Sequence, residues 1–154
     1  MLAAECSPTA DPARKKVAGT VATEWPVAPP ILADAQDQDR GRDFDLLDPV
    51  SGKPTGITLR IVGPDSATQA RARLQMIDAL AEVAGPEGTV SAADREKIRL
   101  DTLARCVVGW QISENGEPVP FNHGSVVRLL KAAQWVQQQV DGFASDRAAF
   151  RGRA

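Results

Sequence analysis

The stretch Phe44-Asp-Leu-Leu-Asp-Pro-Val-Ser-Gly-Lys-Pro-Thr-Gly-Ile-Thr-Leu-Arg-Ile-Val62 decides the fold class. Ile57, Leu59 and Ile61 alternate with Thr58 and Arg60, and Phe44 and Leu46 flank Asp45, the period-two pattern of strands that bury one face. Between the two runs, Asp48-Pro49, Ser51-Gly52 and Pro54-Thr55-Gly56 supply turn chemistry, so residues 44–62 are expected to form a β-hairpin. Everything downstream reads as helix with one further short hairpin, which makes the domain α+β and mainly α.

Gly63-Pro64 ends the second strand, and Asp65 or Ser66 is placed to cap a helix over about 66–84. Its apolar stripe is Ala70, Leu74, Ile77, Ala81 and Ala84, broadened by Met76, Leu80 and Val83, and Gly85-Pro86 stops it. Ser91-Ala-Ala-Asp94 opens a second helix over about 91–108, with Leu100, Leu103, Val107 and Trp110 as its stripe. Asn115-Gly116, between Trp110-Gln-Ile-Ser and Pro118-Val-Pro-Phe121, is a strong two-residue hairpin signal. The prolines at 118 and 120 confine any return strand to an edge. Asn122 then caps a third helix over about 124–141, with Val126, Leu130, Ala133, Val136 and Val140 on one side. Phe143 and Phe150 are expected to fold back onto the core, and residues 151–154 form a tail.

Upstream of about Asp43 the chain changes character. Pro8, Pro12, Pro26, Pro29 and Pro30 interrupt both helix and ladder hydrogen bonding, so residues 1–43 are expected to be an extended, proline-rich arm outside the 44–150 domain. Within it Trp25, Val27, Ile31 and Leu32 form an apolar cluster. These four are the candidate partner-binding anchors, docking on the chain's own domain or on a neighbouring subunit; the bland reading is a linker with one incidental tryptophan.

A length of 154 residues suits one domain with a real core. The formal net charge of -2 supplies no field for nucleic acid or an anionic membrane. Residues 1–43 carry seven acids and five bases and the remainder thirteen of each, so no segment is strongly polarised. No apolar run has the length of a membrane span. Met1–Ala10, with Glu5 and Pro8, does not look like an export signal, and synthesis in the cytoplasm is expected.

The search for chemistry excludes more than it finds. His123 is the single histidine. At a helix start it reads as a neutral surface or capping residue, since the helix dipole disfavours its charged form. Cys6 and Cys106 fit neither a disulfide framework nor a zinc site, and Cys106 reads as a small buried hydrophobe. Ser51-Gly-Lys-Pro-Thr55 lacks the upstream glycine and following helix of a phosphate loop. Arg71, Arg73, Arg95, Lys97, Arg99 and Arg105 are interleaved with Asp78, Glu82, Asp94, Glu96 and Asp101, which favours a solvated surface over a nucleic-acid face. The carboxylates between Asp141 and Asp146 lack the spacing of a calcium loop. No catalytic, cofactor or metal residue is therefore assigned, and the chain is not expected to be an enzyme.

Thr55-Gly-Ile-Thr-Leu-Arg-Ile-Val-Gly-Pro-Asp-Ser66, Val107-Val-Gly-Trp110, Gly116-Glu-Pro-Val-Pro-Phe121, Trp135-Val-Gln-Gln-Gln-Val-Asp141 and Asp146-Arg-Ala-Ala-Phe150, in that order, resemble a group of small proteins. They are encoded among the head and tail morphogenesis genes of tailed bacteriophages and prophages. The likeness covers about residues 44–150 and omits the arm. It implies a virion structural or assembly protein, such as an accessory capsid (cement or decoration) or minor head-tail protein. The implied partners are the major capsid or tail proteins of the same phage, with a homo-oligomer possible. A tail assembly chaperone that binds tape-measure or tail subunits is the alternative, and a small enzyme or nucleic-acid binder the third.

Overall fold

A computed structural model describes residues 28–151 of the chain. The chain divides into two units, Met1–Ala33 and Asp34–Ala154. The described elements are α1 (Ala28–Arg40), β1 (Arg42–Leu47), β2 (Pro54–Ile61), α2 (Ala67–Val83), α3 (Ala92–Arg105), β3 (Val107–Gln111), β4 (Ser113–Glu114), β5 (Glu117–Pro118), α4 (His123–Ala132), α5 (Gln134–Ala144) and α6 (Arg147–Phe150). The fold is α+β and mainly α, as the pattern of residues implies.

The 44–62 hairpin forms and gains a third strand. β1 and β3 flank β2 on either side, both antiparallel to it, with Phe44 opposite Leu59 and Leu59 opposite Trp110. Because β2 is central, its inward residues Leu59 and Ile61 lose all contact with water. Each such side chain stabilises the fold by about 1.5–3 kcal/mol relative to exposure. The hairpin turn is built by Asp48, whose Oδ1 accepts from the amides of Val50 at 2.9 Å and Ser51 at 2.8 Å. Ser51–Lys53 thus lies in an exposed turn.

β3 departs from expectation. The second helix ends at Arg105, three residues before the expected Val108, and Val107–Gln111 pairs with β2. Leu103, Val107 and Trp110 keep helical spacing, yet Val107-Val108 is β-branched and the central strand offers it a free edge, so tertiary pairing wins. Cys106 is the pivot: its amide closes the helix on Leu103 O at 3.0 Å, and its carbonyl accepts from Val62 N at 2.9 Å.

The helix starts follow the cap residues. Ser66 accepts from Gln69 N, Ser91 from Asp94 N and Asn122 from Ser125 N. Asn115 and Gly116 both take positive φ, 53° and 80°, the geometry of a tight hairpin turn between β4 and β5. The expected third helix is broken at Ala133, whose φ of -157° and ψ of 141° are extended. Gln137 Nε2 donates to Leu130 O at 2.8 Å and so satisfies a carbonyl that the break releases. Val126 and Leu130 on α4 and Val136, Val140 and Ala144 on α5 still reach one core with Leu46, Leu59, Ile61, Leu100 and Leu103.

The expected extended arm to residue 43 is corrected at its C-terminal end. Residues 28–40 are helical and Arg42 already belongs to β1. Pro29 and Pro30 fall in the first turn of α1, where the amides they lack have no intrahelical partner to lose, and Ile31–Arg40 is rich in helix formers.

Candidate interaction surface

Within the Asp34–Ala154 unit, the last turns of α1 are bonded to the start of α2 and to the C-terminal turn. Gln38 has no exposed surface. Its Oε1 accepts from Asp65 N at 2.8 Å and its Nε2 donates to Asp34 Oδ2 at 3.0 Å, while its carbonyl accepts from Gly41 N and Gly63 N. One residue along, Asp39 Oδ1 accepts from Thr68 N at 2.9 Å and Thr68 Oγ1 at 2.7 Å, binding the first turn of α2 from outside. Arg147 grips Asp65 with two 2.8 Å bonds, Arg42 donates to Phe150 O at 3.0 Å, and Arg151 reaches Asp34 at 3.2 Å. A buried amide with every polar atom paired specifies one arrangement, because leaving any of those atoms unpaired is costly.

This junction is sensitive to acid. The Thr68 hydroxyl and amide hold the Asp39 carboxyl below its ordinary value of 3.8, and the Arg147 guanidinium, with Gln38, does the same for Asp65. Both carboxylates are lowered in the folded state, so their stabilisation is complete above 3.8 and disappears as pH falls through the folded values. Thermal melts taken from about pH 7 down to about pH 2.5 should show the midpoint falling in the acid limb, and Asp39→Asn should flatten that fall. An unchanged acid limb in the variant refutes the assignment.

Of the four expected anchors, Ile31 and Leu32 lie on α1 with 57% and 62% of their surface exposed. Trp25 and Val27 lie outside the described residues. The structure therefore places two of the four on a helix.

A second apolar surface was not anticipated. Of the expected α2 stripe, Leu74, Ile77 and Ala81 point to solvent, Leu74 63% and Ile77 57% exposed, while Ala70 and Ala84 are half-buried. Ala72 is the buried residue of α2, with Met76 and Leu80 half-buried on the same side. α2 thus carries two apolar faces. The sequence signal was present in Met76, Leu80 and Val83, read there only as a widening of one face.

Burial, with a smaller contribution from the Asp141 charge, pushes the Cys106 thiol up to about 11, so it stays protonated at neutral pH and is a poor nucleophile. His123 Nε2 lies 3.3 Å from Asp101 Oδ1 at the surface. An open depression of about 420 Å³ is lined by Asp37, Arg42, Asp43 and Arg60, and there Arg42 pairs with Asp37 and Arg60 with Asp43, each at 3.2 Å. Among the described residues no group of three or more His, Cys, Asp or Glu is placed to hold a metal ion, and no helix is long and apolar enough to cross a membrane. Comparison of the chain with protein-family models, curated proteins and solved structures gives no match.

Proposed function

We propose that the chain is a virion structural or assembly protein of a tailed bacteriophage, an accessory capsid (cement or decoration) or minor head-tail protein that engages neighbours through its N-terminal segment. Its partners are the major capsid or tail proteins of the same particle. The observation that carries the reading is the anchored root. The domain fixes Asp34–Arg42 through Gln38 and Asp39, while Ile31 and Leu32, one turn upstream, present apolar side chains to solvent. A segment held at its base and apolar just beyond suits capture of an adjoining subunit. The family resemblance of residues 44–150 supplies the phage setting.

The test is quantitative mass spectrometry of purified particles, made with the full chain and with a chain beginning at Asp34, which retains the whole junction. The full chain should be present in a fixed ratio to the shell or tube protein. The shortened chain should be folded and at least about tenfold depleted. Absence of the full chain from particles, or equal incorporation of the two, overturns the proposal.

A further inference from the structure

The solvent-facing stripe of α2 has a symmetry of its own. Leu74, Ile77 and Ala81 are exposed and Ala70 is half-buried, and the four are spaced so that a two-fold axis level with the point between Gln75 and Met76 exchanges Leu74 with Ile77 and Ala70 with Ala81. Such a pattern is self-complementary, the requirement for an isologous contact in which residue i meets j and j meets i. The charges along one edge are complementary across the same axis. Arg71, Asp78 and Glu82 lie on that edge, the cation in the N-terminal half of the helix and both acids in the C-terminal half.

Asp78 and Glu82 are four residues apart, a like-charge spacing that destabilises an isolated helix. Among the described residues Arg71, Asp78 and Glu82 form no ion pair. Arg71 lies near enough to lower the carboxyl of Asp39, which is already bonded to Thr68. When the axis is applied, Arg71 falls level with Leu80 of the second helix, between Asp78 and Glu82 of that copy. It then neutralises the two carboxylates that repel each other in the single chain, and this happens twice per pair.

We propose that the exposed face of α2 is a homodimer interface in which two copies pack α2 antiparallel, with Leu74 and Ile77 interleaved and Arg71 of each copy seated between Asp78 and Glu82 of the other. The contact is one helix wide, at the small end of specific interfaces, so it forms and dissociates over the micromolar range. It stands whether or not the chain is a virion component.

Sedimentation equilibrium of the full chain from about 5 to about 500 µM tests it. The wild type should pass from monomer to dimer. Arg71→Glu alone, and D78K/E82K alone, should each weaken association by at least about tenfold, because each sets like charges against one another across the axis. An equimolar mixture of the two should recover the dimer, since the glutamate introduced in one variant then meets the two lysines of the other and the second pairing stays native. Recovery on mixing cannot come from a folding defect. Leu74→Glu should remove the dimer in every combination, with the circular dichroism of the native chain. A wild type that stays monomeric throughout, charge variants that dimerise as the wild type does, or a mixture that fails to recover overturns the proposal. So does a stripe occupied only when capsid or tail proteins are added.

Discussion

Gly63→Ala is expected to destabilise the domain by about 2–4 kcal/mol, a large share of the net stability of a domain this size. Gly63 follows β2 and is buried, and a Cβ there would lie 2.5 Å from Gln38 Oε1 and 2.8 Å from both Gln38 Cβ and Cγ. The two carbons stand next to the α1 backbone, so a turn of the side-chain end cannot clear them. Either α1 moves away from the sheet or Gln38 changes rotamer. The second response breaks the bonds to Asp65 N and Asp34 and leaves a buried amide without partners. Gly142, on α5, is the control, because nothing lies within 4 Å of a Cβ built there. Gly142→Ala should stabilise by roughly 0.5 kcal/mol through helix propensity. Urea unfolding of the two variants distinguishes a crowding effect from a generic response to alanine. A loss below about 1 kcal/mol at position 63 would mean that α1 does not press on the sheet as described.

The same junction shows why part of the fold was legible and part was not. Features set by neighbours in sequence were readable: the alternation of Ile57, Leu59 and Ile61, the caps Ser66, Ser91 and Asn122, and the Asn115-Gly116 turn. Features set by distant partners were not. Val107 and Trp110 continue the spacing of Leu100 and Leu103, and only the open edge of β2, some fifty residues earlier, turns them into a strand. The break at Ala133 leaves Val126, Leu130, Val136 and Val140 with the same apparent period as an unbroken helix. On α2 most of the strongest apolar stripe faces outward, and the one buried position is Ala72, a small residue with little signal of its own. Of the candidate site, the apolar character of Ile31 and Leu32 was legible; their place on a helix was not, because prolines in a first turn look like prolines in an extended arm.

Phe150→Ala should cost about 3–5 kcal/mol, although the residue lies in a helix of one turn at the edge of the described chain. Its ring is 1% exposed and lies 5.1 Å from that of Phe143, which in turn sits 4.7 Å from Phe44 on β1. The three rings form a continuous aromatic ladder from the sheet to the last helix. Asp146 positions the turn by accepting from Ala148 N at 2.9 Å, and the Phe150 carbonyl receives Arg42 at 3.0 Å. Truncation therefore opens a cavity at the place where β1, α5 and α6 meet, and the rigid backbone bonds on both sides restrict collapse into it. Phe150→Leu keeps most of the volume and should cost less than half as much. Arg147→Ala removes the bidentate but exposed pair with Asp65 and should cost far less than Phe150→Ala, since exposed pairs are screened and costly in side-chain entropy. Chemical unfolding of the three variants ranks ring packing against ion pairing directly. If Arg147→Ala proved the most damaging of them, the C-terminal turn would be held by charge and the aromatic ladder would be incidental.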